Sequence, residues 1–126
     1  MGGATAITGV LLLALLVGVF ALQRYKNELV KFETPYQAVL LTNGSVYFGK
    51  LENYGTKSPL LRDVYYVQTS VNQETKQATN VLVKRGKELH APDRMYLNAN
   101  QIVFVEPVGA DSKVAQLIAE SKAKGQ

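Results

Sequence analysis

At 126 residues the chain has room for one folded domain once its N-terminal segment is set aside. It carries no cysteine, which excludes a disulfide framework, a thiolate metal site and a cysteine nucleophile. Fourteen Lys and Arg against ten Asp and Glu leave a net charge of +4, a mild excess that suits an anionic lipid surface at least as well as nucleic acid.

Ala4 to Leu22 contains no charge, and Gly9 to Leu22 is almost wholly Leu, Val, Ala and Phe. About 20 largely apolar residues suffice to span a bilayer as a helix, so a retained transmembrane helix is predicted, with Ala6, Leu13, Ala14, Gly18 and Leu22 along it. No Lys or Arg precedes the run, and Phe20-Ala21-Leu22-Gln23 is a poor cleavage site, which argues against a signal peptide. Arg24, Lys26 and Lys31 follow the run. The positive-inside rule then predicts a single-pass protein of the cell membrane with its N-terminus outside and its body in the cytoplasm. The opposing arrangement is a signal anchor that exports the body. Ala14 and Gly18 form a small-xxx-small pair that permits close helix contact, although both residues are common in spans. Leu22, Tyr25, Leu29 and Phe32 recur at helical spacing, which predicts a stalk continuing to Glu33 and ended by Pro35. The organisation expected is therefore 1–33 for span and stalk, 34–108 for a β domain, and 109–126 for an amphipathic helix and tail.

The stretch Val39 to Leu51 organises the β domain. Asn43-Gly44 between two apolar runs predicts a two-residue type I′ hairpin turn, because both central positions need positive φ. Such a turn sets Leu41 opposite Val46, Leu40 opposite Tyr47 and Val39 opposite Phe48. Gly49, without a Cβ, marks a bend or bulge. Asn43, Gly44 and Gly49 are thus the candidate structural turn residues. A loop rich in turn formers, Asn53 to Pro59, leads into a long strand from Leu60 to Val71. Asn72 to Gln77 reads as a hairpin tip, and Thr79 to Val83 returns as a strand. Met95-Tyr96-Leu97 and Ile102 to Val105 are two short strands around Asn98 to Gln101. Asp111 or Ser112 can cap a last helix in which Val114, Leu117 and Ile118 share a face.

The run Val39 to Gly44, then Gly49-Lys50-Leu51, then Leu60 to Val64, resembles the first motif of the Sm-like family. Residues 95–106 resemble that fold's short strand, tight turn and last strand. The resemblance implies a mainly β fold, a small Sm-like or SH3-like barrel, here with an N-terminal transmembrane helix and a short C-terminal helix. The same core also resembles that of uncharacterised small bacterial membrane proteins. Sm-like proteins that hold RNA use an Asp-x-aromatic-Met-Asn loop and an Arg-Gly pair near the last strand. This chain has Gly55, Lys57, Ser58 and Pro59 in that loop, and its Arg85-Gly86 is separated from the last strand by further residues. The RNA site is therefore not carried over with the fold. Sm-like barrels also associate edge to edge, which makes Met95, Tyr96, Leu97, Ile102 and Phe104 the candidate interaction edge.

No catalytic constellation is visible. His90 is alone, the acids are dispersed singly among bases, and no phosphate loop or metal-binding motif occurs; no cofactor or metal is expected. Arg24, Lys26, Lys84, Arg85 and Lys87 form the candidate patch for anions, RNA or lipid. The expected role is that of a non-enzymatic scaffold or assembly subunit at the membrane, with a protein partner or copies of itself. The alternative is a membrane-tethered RNA-binding module, less favoured because the charge excess is mild.

Overall fold

The computed structural model describes the backbone of residues 2–125 and the side chains of residues 9–23 and 29–125. The chain divides into two compact units, Met1–Val30 and Lys31–Gln126. The first is one helix, α1 (Gly2–Glu28). Its Leu, Val, Ala and Phe residues lie in a run without Pro, so the backbone ladder is uninterrupted. Every large apolar side chain described between Val10 and Leu22 is more than half exposed.

The expected membrane span is not upheld. Among the described residues, no helix is long and apolar enough to cross a membrane. The single-pass topology, the cell-membrane localisation and the orientation with a cytoplasmic barrel are corrected with it. Leu13, Ala14, Gly18 and Leu22 lie exposed on α1, while the side chains of Ala6, Arg24 and Lys26 fall outside the described ones. The helix also stops at Glu28, short of the stalk end expected at Glu33.

The second unit is mainly β. Its elements are β1 (Gln37–Leu41), β2 (Val46–Glu52), β3 (Leu60–Val71), β4 (Ala78–Lys84), β5 (Arg94–Tyr96), the one-turn 3-10 helix η1 (Ala99–Gln101), β6 (Ile102–Pro107) and α2 (Lys113–Ala123). The six strands form one antiparallel sheet in the order β4-β3-β2-β1-β6, with β5 pairing the first half of β3. β5 and β6 are joined through the short η1 connection yet pair with different strands, β3 and β1. The sheet must therefore curl. Val39, Leu51, Leu61, Val64 and Leu97 fill the concave side, with Phe32, Leu41, Tyr47, Tyr54, Met95, Ile102 and Val105 packed against them.

The β1–β2 hairpin departs from the expected register by one residue. Leu40 pairs with Val46, Val39 with Tyr47 and Ala38 with Phe48. Gly44 N donates to Leu41 O, and Leu41 N donates to Ser45 O, both at 2.9 Å. Only Gly44, at φ +87, has left-handed geometry here. The loop is thus three residues long, a turn through Thr42 and Asn43 followed by a left-handed glycine, rather than the two-residue mirror-image turn. One residue of slip exchanges the two faces. It is this longer loop that places Val39 and Tyr47 together on the core side.

Gly49 sits at a register shift between β2 and β3. A Cβ there would lie 2.7 Å from Arg62 O and 2.8 Å from Leu61 Cγ, so only glycine allows the strands this close. Beyond the end of the β1 pairing, the buried Gln37 side chain continues the ladder. Its Oε1 accepts from Leu51 N at 2.8 Å, and its Nε2 donates to Thr34 O at 2.6 Å. At the C-terminal end Ser112, not Asp111, caps α2, its Oγ accepting from Ala115 N at 3.1 Å. Ile118 is the buried residue of the helix face.

Candidate interaction surface

β6 pairs with β1 on one side and ends the strand order on the other. Its ladder shifts register between Leu40 and Leu41. Phe104 meets Leu40 while Ile102 meets Leu41, which leaves Val103 as the extra residue of a bulge. Normal alternation would hide one of two neighbouring side chains. The bulge instead leaves both outward, Val103 55% exposed and Phe104 45% exposed.

The five candidate edge residues consequently separate. Leu97 is buried in the core, and Met95 and Ile102 are half-buried against it. Tyr96, 70% exposed, and Phe104 face outward. Val103, which the sequence places in the same candidate edge strand Ile102 to Val105, joins them because the bulge turns it outward.

The basic candidates lie elsewhere. Lys84 and Arg85 line a cleft of about 430 Å³ with Arg94, over a floor that includes Val64, Pro92 and Met95. Arg94 was not foreseen, since it comes from β5 while the other two come from the end of β4. Lys87 is exposed outside the cleft lining. Each of the three lining cations already faces a carboxylate. Lys84 Nζ lies 3.5 Å from Asp63, Arg85 Nε 3.5 Å from Glu88, and Arg94 Nε 2.9 Å from Asp93. Arg85 also lies 6.0 Å from the centre of the Tyr47 ring. The cleft therefore offers little uncompensated positive charge. A wider hollow of about 730 Å³ lies between Gly55–Ser58 and Tyr96–Asn100, with Lys57 as its one charged residue.

Asp63 is the most connected polar side chain of the unit. Its backbone takes φ +52, which a non-glycine residue adopts only when the surroundings hold it there. The carboxylate accepts from the Tyr36 hydroxyl and from Lys122 Nζ, the latter at 2.8 Å, and also faces Lys84. Lys122 belongs to α2, so this one carboxylate ties the C-terminal helix to β3 and to the segment before β1. Burial opposes the charge on Asp63, but hydrogen bonds from Lys122 and Tyr36 and the charges of Lys122 and Lys84 outweigh it, and its pKa falls below the ordinary 3.8. Burial first, then the hydrogen bond to Asp63 and its charge, push the Tyr36 hydroxyl up to about 12. The hydrogen bond to Asp63 is the main cause that raises Lys122. Such a group of partners fixes a helix in place: Tyr36 and Lys122 hold their protons while Asp63 stays charged between them.

Asn43 and Gly44 form the hairpin loop and Gly49 the close strand approach described above. His90 is exposed, and no cluster of three or more His, Asp or Glu suited to a metal occurs among the described residues. Comparison with protein-family models and with curated proteins finds no match.

Proposed function

We propose that the β unit is a non-catalytic protein-interaction module that docks another protein chain along β6. The observation that supports this most directly is the bulge that turns both Val103 and Phe104 outward on a strand with one unpaired side. Apolar side chains held on a sheet edge are a liability unless something covers them. An extended segment added to the edge satisfies the strand's free backbone groups while its side chains meet Val103 and Phe104. Partners therefore bind in extended form, and the affinity resides in backbone pairing plus these two anchors. The resemblance to Sm-like barrels favours a strand from a neighbouring copy, such as β5 with the exposed Tyr96.

The nucleic-acid reading has weaker support, because Lys84, Arg85 and Arg94 are each engaged by a carboxylate. It predicts association that collapses with salt, whereas edge docking through apolar anchors is salt-tolerant.

The test uses the full chain in mild detergent, sized by sedimentation at low and high salt. The wild type is expected to run as a complex larger than one chain at both. Phe104→Asp should reduce its mass, whereas Val46→Asp, at an exposed site on the hairpin, should not. A wild-type chain that stays monomeric with no bound partner overturns the proposal, as does a complex indifferent to Phe104→Asp.

A further inference from the structure

The cleft beside Lys84 and Arg85 draws its lining from β3, from the end of β4, and from the segment that enters β5. Its volume of about 430 Å³ falls within the range of about 300–1,000 Å³ usual for small-molecule sites. The backbone around it is held in uncommon geometry. Among the described residues, four that are not glycine have positive φ. Asn53 and Lys76 lie in loops, but Asp63 (φ +52) and Ala91 (φ +47) both line this cleft, and so does Gly86 at φ +139. Alanine takes left-handed geometry at a cost, and an aspartate inside a strand does so only where its surroundings hold it; such positions gather at ligand clamps. The walls are also fixed by backbone bonds. Arg85 N donates to Val64 O and Ala91 N to Glu88 O, both at 2.8 Å.

The charged groups of the cleft are not equally spent. Its two carboxylates are taken at hydrogen-bond distance, Asp63 by Lys122 Nζ at 2.8 Å and Asp93 by Arg94 Nε and Nη2 at 2.9 Å each. Lys84 and Arg85 are held more loosely. Each has its nearest carboxylate oxygen at 3.5 Å, well beyond the 2.7–2.9 Å or so of a charge-assisted hydrogen bond. Their N–H groups are therefore still to be satisfied, three on an ammonium and five on a guanidinium fork. The two cations are neighbours in sequence and stand beside an apolar floor in which Val64 is buried and Pro92 and Met95 are half-buried.

We infer that this cleft binds a small monocarboxylate with an apolar body, its carboxylate received by Lys84 and Arg85 and its body laid on Val64, Pro92 and Met95. The charge balance selects the class. Three lining cations face two lining carboxylates, so one further negative charge completes the set, whereas a phosphate ester or a polyanion would meet Asp63 and Asp93 with charge to spare. A guanidinium fork also matches the planar carboxylate. The floor adds the second requirement, since a bare anion would leave Val64 and Met95 as wet as before. No residue of β6 lines the cleft, so the site is independent of docking along that strand.

Three probes separate the two requirements: pentanoate, pentanamide (the same body without the charge) and acetate (the same head without the body). Each is titrated into the full chain in mild detergent, and the backbone amide signals of Gly86, Ala91 and Arg94 are followed by nuclear magnetic resonance. Pentanoate is expected to shift them saturably, and pentanamide and acetate to bind about tenfold more weakly, as the loss of a charged hydrogen bond or of the buried body implies. Lys84→Gln and Arg85→Gln should each weaken pentanoate about tenfold, while Lys87→Gln, outside the lining, should leave it unchanged. Phe104→Asp should also leave it unchanged, which distinguishes failure of this site from failure of the docking at β6. The comparison of pentanoate with pentanamide needs no variant and decides the matter even where Arg85→Gln does not fold. No saturable shift with pentanoate, equal binding of pentanoate and either of the other probes, or affinity indifferent to both Lys84→Gln and Arg85→Gln overturns the inference.

Discussion

Gly49→Ala tests the closest approach in the sheet. The added Cβ would sit 2.7 Å from Arg62 O, 2.8 Å from Leu61 Cγ and 3.0 Å from Leu61 Cδ1. Leu61 is fully buried and cannot swing into solvent, and Arg62 O belongs to the β3 backbone. Relief thus requires β2 and β3 to separate at the shift between Phe48 and Lys50, which disturbs the adjoining pairs of Lys50 with Arg62 and Leu51 with Leu61. Overpacking of this kind costs about 1–3 kcal/mol, and backbone involvement argues for the upper part of that range. Replacing glycine stiffens the unfolded chain and returns about 0.4–1 kcal/mol, for a net loss of about 2 kcal/mol. In a unit of this size each kcal/mol lowers Tm by roughly 4–8 °C, so a drop of roughly 8–16 °C is expected. Thermal unfolding followed through the near-ultraviolet circular dichroism of the tyrosines measures it. Gly109→Ala, where an added Cβ meets nothing within 4 Å, serves as the reference and should be neutral. If Gly49→Ala melts with Gly109→Ala, the strands do not approach as closely as described and the argument from space is wrong.

Two further outcomes follow from polar groups. Tyr36, with its hydroxyl pushed up to about 12 from 10.0, holds its proton more tightly in the folded state; its contribution is complete below pH 10 and is lost as pH rises through about 12. Asp63, held below 3.8, contributes above that value and loses its contribution as pH falls through the lowered pKa, so denaturant midpoints should decline at both extremes, with Tyr36→Phe removing the tyrosine's share of the alkaline decline. Tyr65 is 1% exposed, and its hydroxyl has no hydrogen-bond partner among the described residues. Tyr65→Phe should therefore leave the midpoint unchanged or raise it by about 1 kcal/mol of stability; a loss larger than that would mean the hydroxyl has a partner.

Much of the β unit can be read from local pattern. The Leu60–Val71 strand, the polar tip after it and the Ser112 cap all follow from residues that are neighbours in sequence, where turn chemistry and β-branching act directly. The hairpin shows where local signals stop. Asn43-Gly44 is compatible with a two-residue loop and with a three-residue loop, since either needs glycine at a left-handed position. What chooses is the tertiary demand that Val39 and Tyr47 share the core face, and that demand comes from Leu51, Leu61 and Leu97 elsewhere in the chain. The site residues missed have the same origin. Gln37 completes a ladder only because β1 runs out beside Leu51, and Asp63 gathers Tyr36 and Lys122 from distant segments. Val103 belongs to the edge strand read from the sequence, but its outward turn follows only from the bulge against β1.

The placement of the irregularities explains why the sheet presents two unlike edges. Register shifts occur between β2 and β3 at Gly49 and between β1 and β6 at Val103, and bulges increase twist and bend the strands that carry them. Curvature is thus concentrated where strands must wrap the core. The β3–β4 ladder has no shift, so nothing bends it back, and the same long strand that lines the core through Val64 and Tyr65 continues outward as a regular ribbon. Bending β6 leaves it twisted and suited to anchoring side chains; leaving β4 regular preserves an even row of backbone donors and acceptors. Inserting a bulge into β4, by one extra residue after Asn80, should therefore break the outer β3–β4 ladder while leaving the core and β6 untouched. Loss of amide-exchange protection between Val67 and Val81 with unchanged tyrosine circular dichroism would show it; protection that survives the insertion would show that the ribbon does not depend on its regularity.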